Sequence, residues 1–321
     1  MFNLKKMNKM KFKLNIAKGL GILLLVIAAN ASFAQQDPMY TQYIFNTQTI
    51  NPAYAGTWES LGFMALARQQ WVSWDGAPQT YTFSLQSPMK NEKVALGLNV
   101  ISDQLGKEKR FGIFADYSYM VKFTEETKLR MGVKGGFTNY SNNLQEYQLY
   151  PGVNDPLFQG EIDKKFRPNF GVGLFLYNPK YYLGLSVPKI LQNDFETNYN
   201  NYSVQAEMRH YFLEAGLVFD LGESVKFKPT VLTKTAWNTP VEFDLTANFL
   251  LKEKLWLGAT YRTQDAIGLI AQWIFNNKLR IGYAYDYSTT KLQNYHNGTH
   301  EIMVSYELRT LTELVTSPRY F

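Results

Sequence analysis

The chain has 321 residues, of which 45% are hydrophobic and 16% are aromatic, and it contains no cysteine. The lack of cysteine excludes a disulfide framework, a thiolate metal site and a cysteine nucleophile. The formal charge of +6 would suit a nucleic-acid partner, but six of the lysines lie in the first 34 residues, which hold no acid. Without those six, the 33 basic residues fall to 27 and balance the 27 acids. The basic charge therefore indicates export rather than nucleic-acid binding.

The amino-terminal stretch has the order typical of a secretory leader. The lysines come early, an apolar run follows at 19–29, and small residues then stand at Ser32 and Ala34. This run is too short to span a bilayer as a helix, which needs about 20 residues. The pattern predicts a signal peptide over residues 1–34, cleaved before Gln35.

Apolar and polar residues alternate along most of the remaining chain. Between Val241 and Phe249, for example, every odd position is apolar and every even position is polar. Such alternation places one face of a strand in apolar surroundings and the other in polar surroundings. The segments that show it are 60–72, 77–87, 92–102, 110–123, 127–140, 165–178, 180–187, 203–221, 224–237, 240–251, 254–263, 266–275, 278–288 and 299–309.

The length of these segments favours a membrane barrel. Most have about nine residues or more, enough to cross a bilayer at a tilt, whereas strands of globular proteins most often have about five or six. Together with the leader, this predicts an all-β fold. We expect a transmembrane antiparallel β-barrel over residues 59–309, with about 14 strands (roughly 12 to 16). A large soluble β-sandwich or solenoid is the alternative, because its inner faces would also alternate.

The connections are sorted by length. Counted along the chain, the long ones, at 103–109, 141–164, 188–202 and 289–298, all fall at the same end of the strands. Outer-membrane barrels have longer loops outside and short turns in the periplasm. With an even number of strands, both ends of the wall then lie in the periplasm. The sequence therefore predicts that both termini are periplasmic, including a tail over residues 310–321.

The two faces of the predicted strands differ in chemistry. The apolar residues expected to face lipid are Phe243, Leu245, Phe249, Leu279, Ile281, Tyr283, Ile302 and Val304. The polar residues expected to face the lumen are Lys226, Lys228, Lys234, Glu242, Asp244, Asn248, Arg280, Glu301 and Glu307. Acids and bases are mixed in the second set. We expect them to neutralise one another inside the barrel, because buried charges need partners; a selective ion path is the alternative.

Residues 35–58 are too polar and too often interrupted to form a wall strand. The segment holds amides and aromatic rings at 37–46, followed by Asn-Pro and Ala-Gly turn chemistry at 51–56. Its side chains suit docking inside the lumen, as a plug, or on a periplasmic partner, since buried amides need hydrogen-bond partners. The candidate partner-binding residues here are Asp37, Pro38, Tyr40, Tyr43, Phe45, Asn51, Pro52 and Tyr54.

Aromatic residues near the predicted loops are further candidates. Trp71 and Trp74 flank the turn signal Asp75-Gly76. They are expected at the depth of an interfacial aromatic girdle, with recognition of a partner as the alternative. In the outer loops, backbone edges and aromatic rings suit an extended, β-rich partner. The loop candidates are Tyr147, Tyr150, Phe158, Phe195, Tyr199 and Tyr202.

The sequence predicts no catalytic, cofactor or metal site. The histidines are His210, His296 and His300, and the last two are separated by Asn297-Gly298, which breaks any helix between them. They therefore lack the shared helix face of a zinc-binding pair. The acids of the longest outer loop do not follow EF-hand spacing. An outer-membrane hydrolase would need a serine within reach of a histidine, and no motif supports one.

Several motifs resemble those of a known family. They are the segment after the leader, Asn-Pro-Ala-Tyr-Ala-Gly at 51–56, the hairpin at 68–80 that begins Arg-Gln-Gln-Trp and ends Asp-Gly-Ala-Pro-Gln-Thr, and Ser-Pro-Arg-Tyr-Phe at 317–321. In these the chain resembles the PorP/SprF family of type IX secretion. Many members have a cysteine near the carboxyl end, and this chain has none.

The resemblance implies a function in protein secretion. Members are outer-membrane proteins of Bacteroidota, linked to the export or surface anchoring of large adhesins with type B C-terminal domains, including gliding adhesins. The partners it implies are the adhesin, the translocon barrel, and the periplasmic core or a peptidoglycan-binding protein. We expect a non-enzymatic protein surrounded by outer-membrane lipid, with no nucleic-acid partner. A general diffusion porin or solute channel is the alternative.

Overall fold

The fold is taken from a computed structural model of the chain. The structure describes residues 38–146, 161–196, 203–237, 239–276 and 278–308. The predicted signal peptide at 1–34 and the predicted tail at 310–321 lie outside the described residues. No helix in the described part of the chain is long and apolar enough to cross a membrane.

Long strands dominate the structure. They are β1 (Leu61–Gln69), β2 (Gln79–Pro88), β3 (Val94–Leu105), β4 (Glu108–Lys122), β5 (Lys128–Asn143), β6 (Glu161–Asn178), β7 (Tyr181–Val187), β8 (Asn193–Glu196), β9 (Ser203–Glu207), β10 (His210–Leu217), β11 (Phe219–Asp220), β12 (Val225–Ala236), β13 (Glu242–Leu251), β14 (Leu255–Arg262), β15 (Ala266–Phe275), β16 (Leu279–Ser288) and β17 (Thr299–Leu308).

The strands close into a barrel. Each wall strand pairs antiparallel with its neighbours in chain order, and β1 closes the sheet by pairing with β17, so that Leu61 lies opposite Leu308. β10 bridges β7 and β12, and β11 continues β10 beyond Val218 as the same wall strand. Within the described ranges this gives a wall of fourteen strands. Every wall strand in these ranges therefore has a paired neighbour on both sides, as hydrocarbon surroundings require. The predicted antiparallel barrel is confirmed.

Two details of the prediction are wrong. The segment 203–221 is not one strand, because β7 ends at Val187 and the residues before His210 have no wall neighbour on that side. They form β9 instead, which pairs with β8 as a separate hairpin. The predicted loop at 103–109 is a two-residue turn, because β3 and β4 remain paired as far as Leu105 and Glu108.

The two faces of the wall are sorted as predicted. On β13, Leu245 and Phe249 are exposed, at 50% and 40%, whereas Asp244 and Asn248, which directly precede them, are buried. The same contrast holds on β17, where Ile302 is exposed and the polar residues Glu301, Ser305 and Glu307 are buried. An apolar exterior around a polar interior is the arrangement that a bilayer stabilises.

The two ends of the barrel carry different connections. At the end we call the turn end, the connections contain five residues or fewer, and they lie at 89–93, 123–127, 179–180, 221–224, 252–254 and 276–278. At the opposite end, the loop end, the connections lie at 70–78, 106–107, 144–160, 188–209, 237–241, 263–265 and 289–298. All of the long connections therefore share one end, as the sequence predicts.

Candidate functional site

The amino-terminal segment, residues 38–60, lies inside the barrel. We call it the lumen segment. Nearly every residue from Tyr40 to Trp58 is buried, and two short 3-10 turns, Thr47–Thr49 and Pro52–Tyr54, compact it. The second turn has a local cause, because the Asn51 side chain accepts a hydrogen bond from the Ala53 amide at 3.0 Å and a proline follows the cap. The polar atoms of this segment contact side chains that the wall directs inward.

A buried ion cluster binds the segment near the loop end. Arg68 on β1 contacts Asp286 at 3.0 Å and Glu301 at 3.1 Å. The Thr41 hydroxyl donates to Asp286 at 2.6 Å. The Thr41 and Gln42 amides donate to the two oxygens of Glu301 at 3.0 and 2.8 Å. The cluster thus joins one guanidinium, two carboxylates and the backbone of the inserted segment.

Other lumen charges are neutralised in the same way. Arg262 contacts Asp244 at 2.9 Å, Asp265 at 3.1 Å and Asp286 at 3.7 Å. Arg280 contacts Glu307 at 3.5 Å. Since a buried charge is costly without a partner, these pairs agree with the expected neutralisation and give no support to an ion path.

The middle of the segment is held by a second polar group. The Gln48 side chain donates to Asp116 at 3.0 Å, and Asn99 on β3 donates to the same carboxylate. Lys134 lies 3.7 Å from Asp116 and donates to the backbone oxygens of Gln48 and Thr49 at 3.2 and 2.9 Å. The wall therefore binds both the backbone and the side chains of this turn.

Two further wall residues contact the segment, Glu214 on β10 and Lys228 on β12. The Asn51 side chain donates to Glu214 on β10 at 3.0 Å. Lys228 on β12 lies over the rings of Phe45, Tyr182 and Trp256, between 5.5 and 6.0 Å from their centres. A buried ammonium over aromatic faces is stabilised by their quadrupoles.

The last part of the segment is fixed at the turn end. The Gly56 amide donates to Gln86 at 2.7 Å, and the Ala55 oxygen accepts from Ser118 at 2.5 Å. Gly56 has φ +87°, and a Cβ at this position would lie 2.3 Å from the Cβ of Ala95. Glu59 then pairs with Lys128 at 2.6 Å, just before β1 begins.

A cavity remains at the loop end. Its volume is about 60 Å³, and its lining includes Pro38, Tyr40, Asp103, Arg110 and Lys189. It has room for a few water molecules. Thr49 and Ile50 of the amino-terminal segment also line it.

Aromatic side chains form a cluster on the loops at the same end. Trp71 lies 5.8 Å from Trp74 and 6.2 Å from His296, and Trp74 lies 6.0 Å from Tyr295, measured between ring centres. Trp74 and Tyr295 are 41% and 68% exposed. Hydrogen bonds between the backbones of Val72 and residues 297–298 join the two loops. The cluster is a fixed aromatic surface.

The structure places the predicted partner-binding residues in three groups. Pro38, Tyr40, Tyr43, Phe45, Asn51, Pro52 and Tyr54 lie in the lumen segment, and Trp71 and Trp74 lie in the aromatic cluster. Phe195 belongs to β8. Asp37, Tyr147, Tyr150, Phe158, Tyr199 and Tyr202 lie outside the described residues. Partner binding by all of them stays a prediction.

The three histidines have different contacts. His210 begins β10 and contacts the Met208 oxygen at 3.1 Å, whereas His300 bonds to Tyr283 at 2.6 Å. Across the residues that the structure describes, no group of three or more histidine, aspartate or glutamate side chains could hold a metal ion.

A comparison with protein families decides the chain's membership. The model of the type IX secretion system membrane protein PorP/SprF matches residues 32–306. The chain belongs to the PorP/SprF family. A closed barrel with an apolar exterior, in a family of membrane proteins, identifies it as an outer-membrane protein of the type IX system.

Solved barrels that resemble this PorP/SprF chain have low sequence identity to it. Omp33 of Acinetobacter baumannii has 7% identity over 78% of this chain and 98% of its own, with a TM-score of 0.46. A FadL homologue of Pseudomonas aeruginosa has 11% identity over 85% and 95%, with a TM-score of 0.46. The toluene transporter TodX of P. putida has 10% identity over 83% and 94%, with a TM-score of 0.46. The comparison with curated proteins gave no match.

Sequence reasoning about this PorP/SprF chain missed most of the lumen contacts. Arg68 lies in the hairpin motif, but no local pattern links it to Asp286 and Glu301, which are more than 200 residues away in the sequence. Asp116 and Glu214 were missed as well. The signal that could have found them is their residue type, because acids on the polar face of a strand need hydrogen-bond donors when the barrel is filled.

Proposed function

We propose that this protein is a non-enzymatic outer-membrane scaffold of the type IX secretion system. It helps to export or anchor a large surface adhesin with a type B C-terminal domain, with a link to gliding motility. Its partners are the adhesin, the translocon barrel, and the periplasmic core or a peptidoglycan-binding protein. Family membership supports the secretion role.

The occupied lumen is the observation that carries the scaffold assignment. The segment 38–60 is bound to the wall at three depths, through Thr41, Gln48 and Gly56. A solute crossing the barrel would have to break several buried, charge-assisted hydrogen bonds, which are stronger than neutral ones. A partner that binds at the ends of the barrel or at its loops would break none of these hydrogen bonds.

Surface display tests the secretion role. In the source bacterium, deletion of the gene should abolish display of one adhesin while other secreted proteins still reach the surface, and a plasmid copy should restore display. Unchanged display of every adhesin would contradict the proposal. Affinity purification from detergent-solubilised membranes then identifies the bound partner.

Conductance distinguishes the scaffold from a diffusion channel. The purified full-length protein in a planar bilayer should give no steady open-pore current, because the lumen segment and its ion pairs occupy the path. A steady open-pore current from the inserted protein would instead favour the general diffusion porin. A porin of known conductance, added to the same bilayer, controls for membrane quality.

A further inference from the structure

The two ends of the lumen segment lie at opposite ends of the barrel. Its first described residues, Pro38 and Tyr40, line the loop-end cavity together with Lys189, which follows β7 at that end. Its last residues lie at the turn end, where Glu59 pairs with Lys128 at the first residue of β5. The segment therefore enters at the loop end and leaves at the turn end.

Three contacts locate the segment between these two ends. Thr41 binds Asp286, two residues from the loop end of β16. Gln48 binds Asp116, about midway along β4. Gly56 binds Gln86, two residues from the turn end of β2. The segment therefore starts near the loop end and finishes near the turn end, and between them Thr49 and Ile50 also line the loop-end cavity.

The few residues before Pro38 cannot reverse this path. If the leader is cleaved before Gln35, three residues remain, which span at most about 11 Å when extended. The apolar band of an outer-membrane barrel is about 25 Å tall. Those residues cannot reach from the loop end back to the turn end.

We propose that the mature amino terminus lies at the cell surface, at the loop end of the barrel. The orientation rests on the length of the connections, since outer-membrane barrels place their longer loops outside and their short turns in the periplasm. This revises the expectation that both termini are periplasmic. The last described strand, β17, ends at the turn end, where Leu308 lies opposite Leu61.

The chain suits a direct test because it contains no cysteine. Three single-cysteine variants are made: Gln36→Cys, Gln293→Cys in an exposed part of the connection at 289–298, and Glu125→Cys in an exposed turn at 123–127. Intact and lysed cells are treated with a membrane-impermeant maleimide. We expect Gln36→Cys and Gln293→Cys to react in intact cells, whereas Glu125→Cys reacts only after lysis.

The outcomes are distinct. Reaction of Gln36→Cys only after lysis, or no reaction before or after it, overturns the proposal, as does a purified chain that retains its leader. Labelling of Glu125→Cys in intact cells shows an inverted barrel and also overturns it. An epitope inserted between Gln36 and Asp37, detected by antibody on intact cells, gives a second measurement independent of thiol chemistry. None of these readouts depends on an adhesin, so failure here and failure of the secretion role are separable.

Discussion

Arg68 holds together carboxylates that reach it from β16 and β17. Its contacts at 3.0 and 3.1 Å neutralise Asp286 and Glu301, and all three side chains are at least 95% buried. The same carboxylates accept hydrogen bonds from Thr41 and Gln42. One guanidinium therefore allows two acids to face each other in the lumen and to bind the inserted segment.

Replacing that guanidinium tests the cluster. Arg68→Ala leaves two carboxylates in a buried site, and the free energy of unfolding should fall by about 3–5 kcal/mol. Urea unfolding in detergent, followed by tryptophan fluorescence, measures the change. The control is Lys165→Ala, which removes an ion pair with Asp163 whose lysine is 77% exposed; it should cost at most about 1 kcal/mol. Equal losses would contradict a buried anchoring role for Arg68.

Gly56 is required by space as well as by backbone conformation. Gly56→Ala adds a methyl group that would meet the Ala95 side chain at 2.3 Å, at a φ of +87°. Gly106→Ala is the matched control, since its φ is +58° and nothing lies within 4 Å of the added atom. The control should lose about 1–2 kcal/mol from the left-handed backbone. Gly56→Ala should lose about 1–3 kcal/mol more from overpacking. Thermal unfolding of both variants measures the difference, and equal melting temperatures would count against tight packing here.

The wall and the lumen segment are held in place by different hydrogen bonds. The wall is held by backbone ladders between neighbouring strands, including the closing pair of β1 and β17. The segment is held mainly by side chains that project from those strands. Removing it should therefore leave the ladders intact and open the space that it occupies.

Deletion of residues 38–57 tests this separation. The variant should still close, and its band should still migrate faster on an unheated gel than after boiling. Its single-channel conductance should exceed that of the full-length protein, because the larger barrels whose lumens are not filled form aqueous channels. Current recordings in planar bilayers measure the effect. A closed variant that is as silent as the full-length protein would show that the segment does not block the lumen.

The whole molecule is stabilised by a match between its exterior and lipid. Half of the Leu245 surface is exposed, in the middle of β13. Leu245→Arg should lower the free energy of unfolding in lipid vesicles by about 2–4 kcal/mol, because the new charge faces hydrocarbon. The control is Glu125→Arg at the turn end, which should change stability by less than about 0.5 kcal/mol. A neutral effect of Leu245→Arg would indicate an exterior in water.

The wall strands could be predicted from the sequence because each one shows its own alternation of apolar and polar residues. In β13, alternation alone assigns Leu245 to lipid and Asp244 to the lumen, and the register follows from the length of the turns. The split between β9 and β10 could not be predicted in this way. The apolar positions are even-numbered from Val204 to Met208 and odd-numbered from Tyr211 to Leu221, but a bulge within one strand would give the same shift. The pattern says nothing of which neighbour each half finds.

The sequence by itself determined the barrel, its two faces and the end that carries the long connections, since these depend on local periodicity and on distances along the chain. Only the tertiary structure decided the path of the lumen segment and the partners of its polar atoms. Thr41, Arg68, Asp286 and Glu301 meet because closure brings β1 beside β17, and no local pattern encodes a contact across more than 200 residues. Pro38 likewise lies at the loop end through tertiary contacts, which the order of residues alone does not reveal.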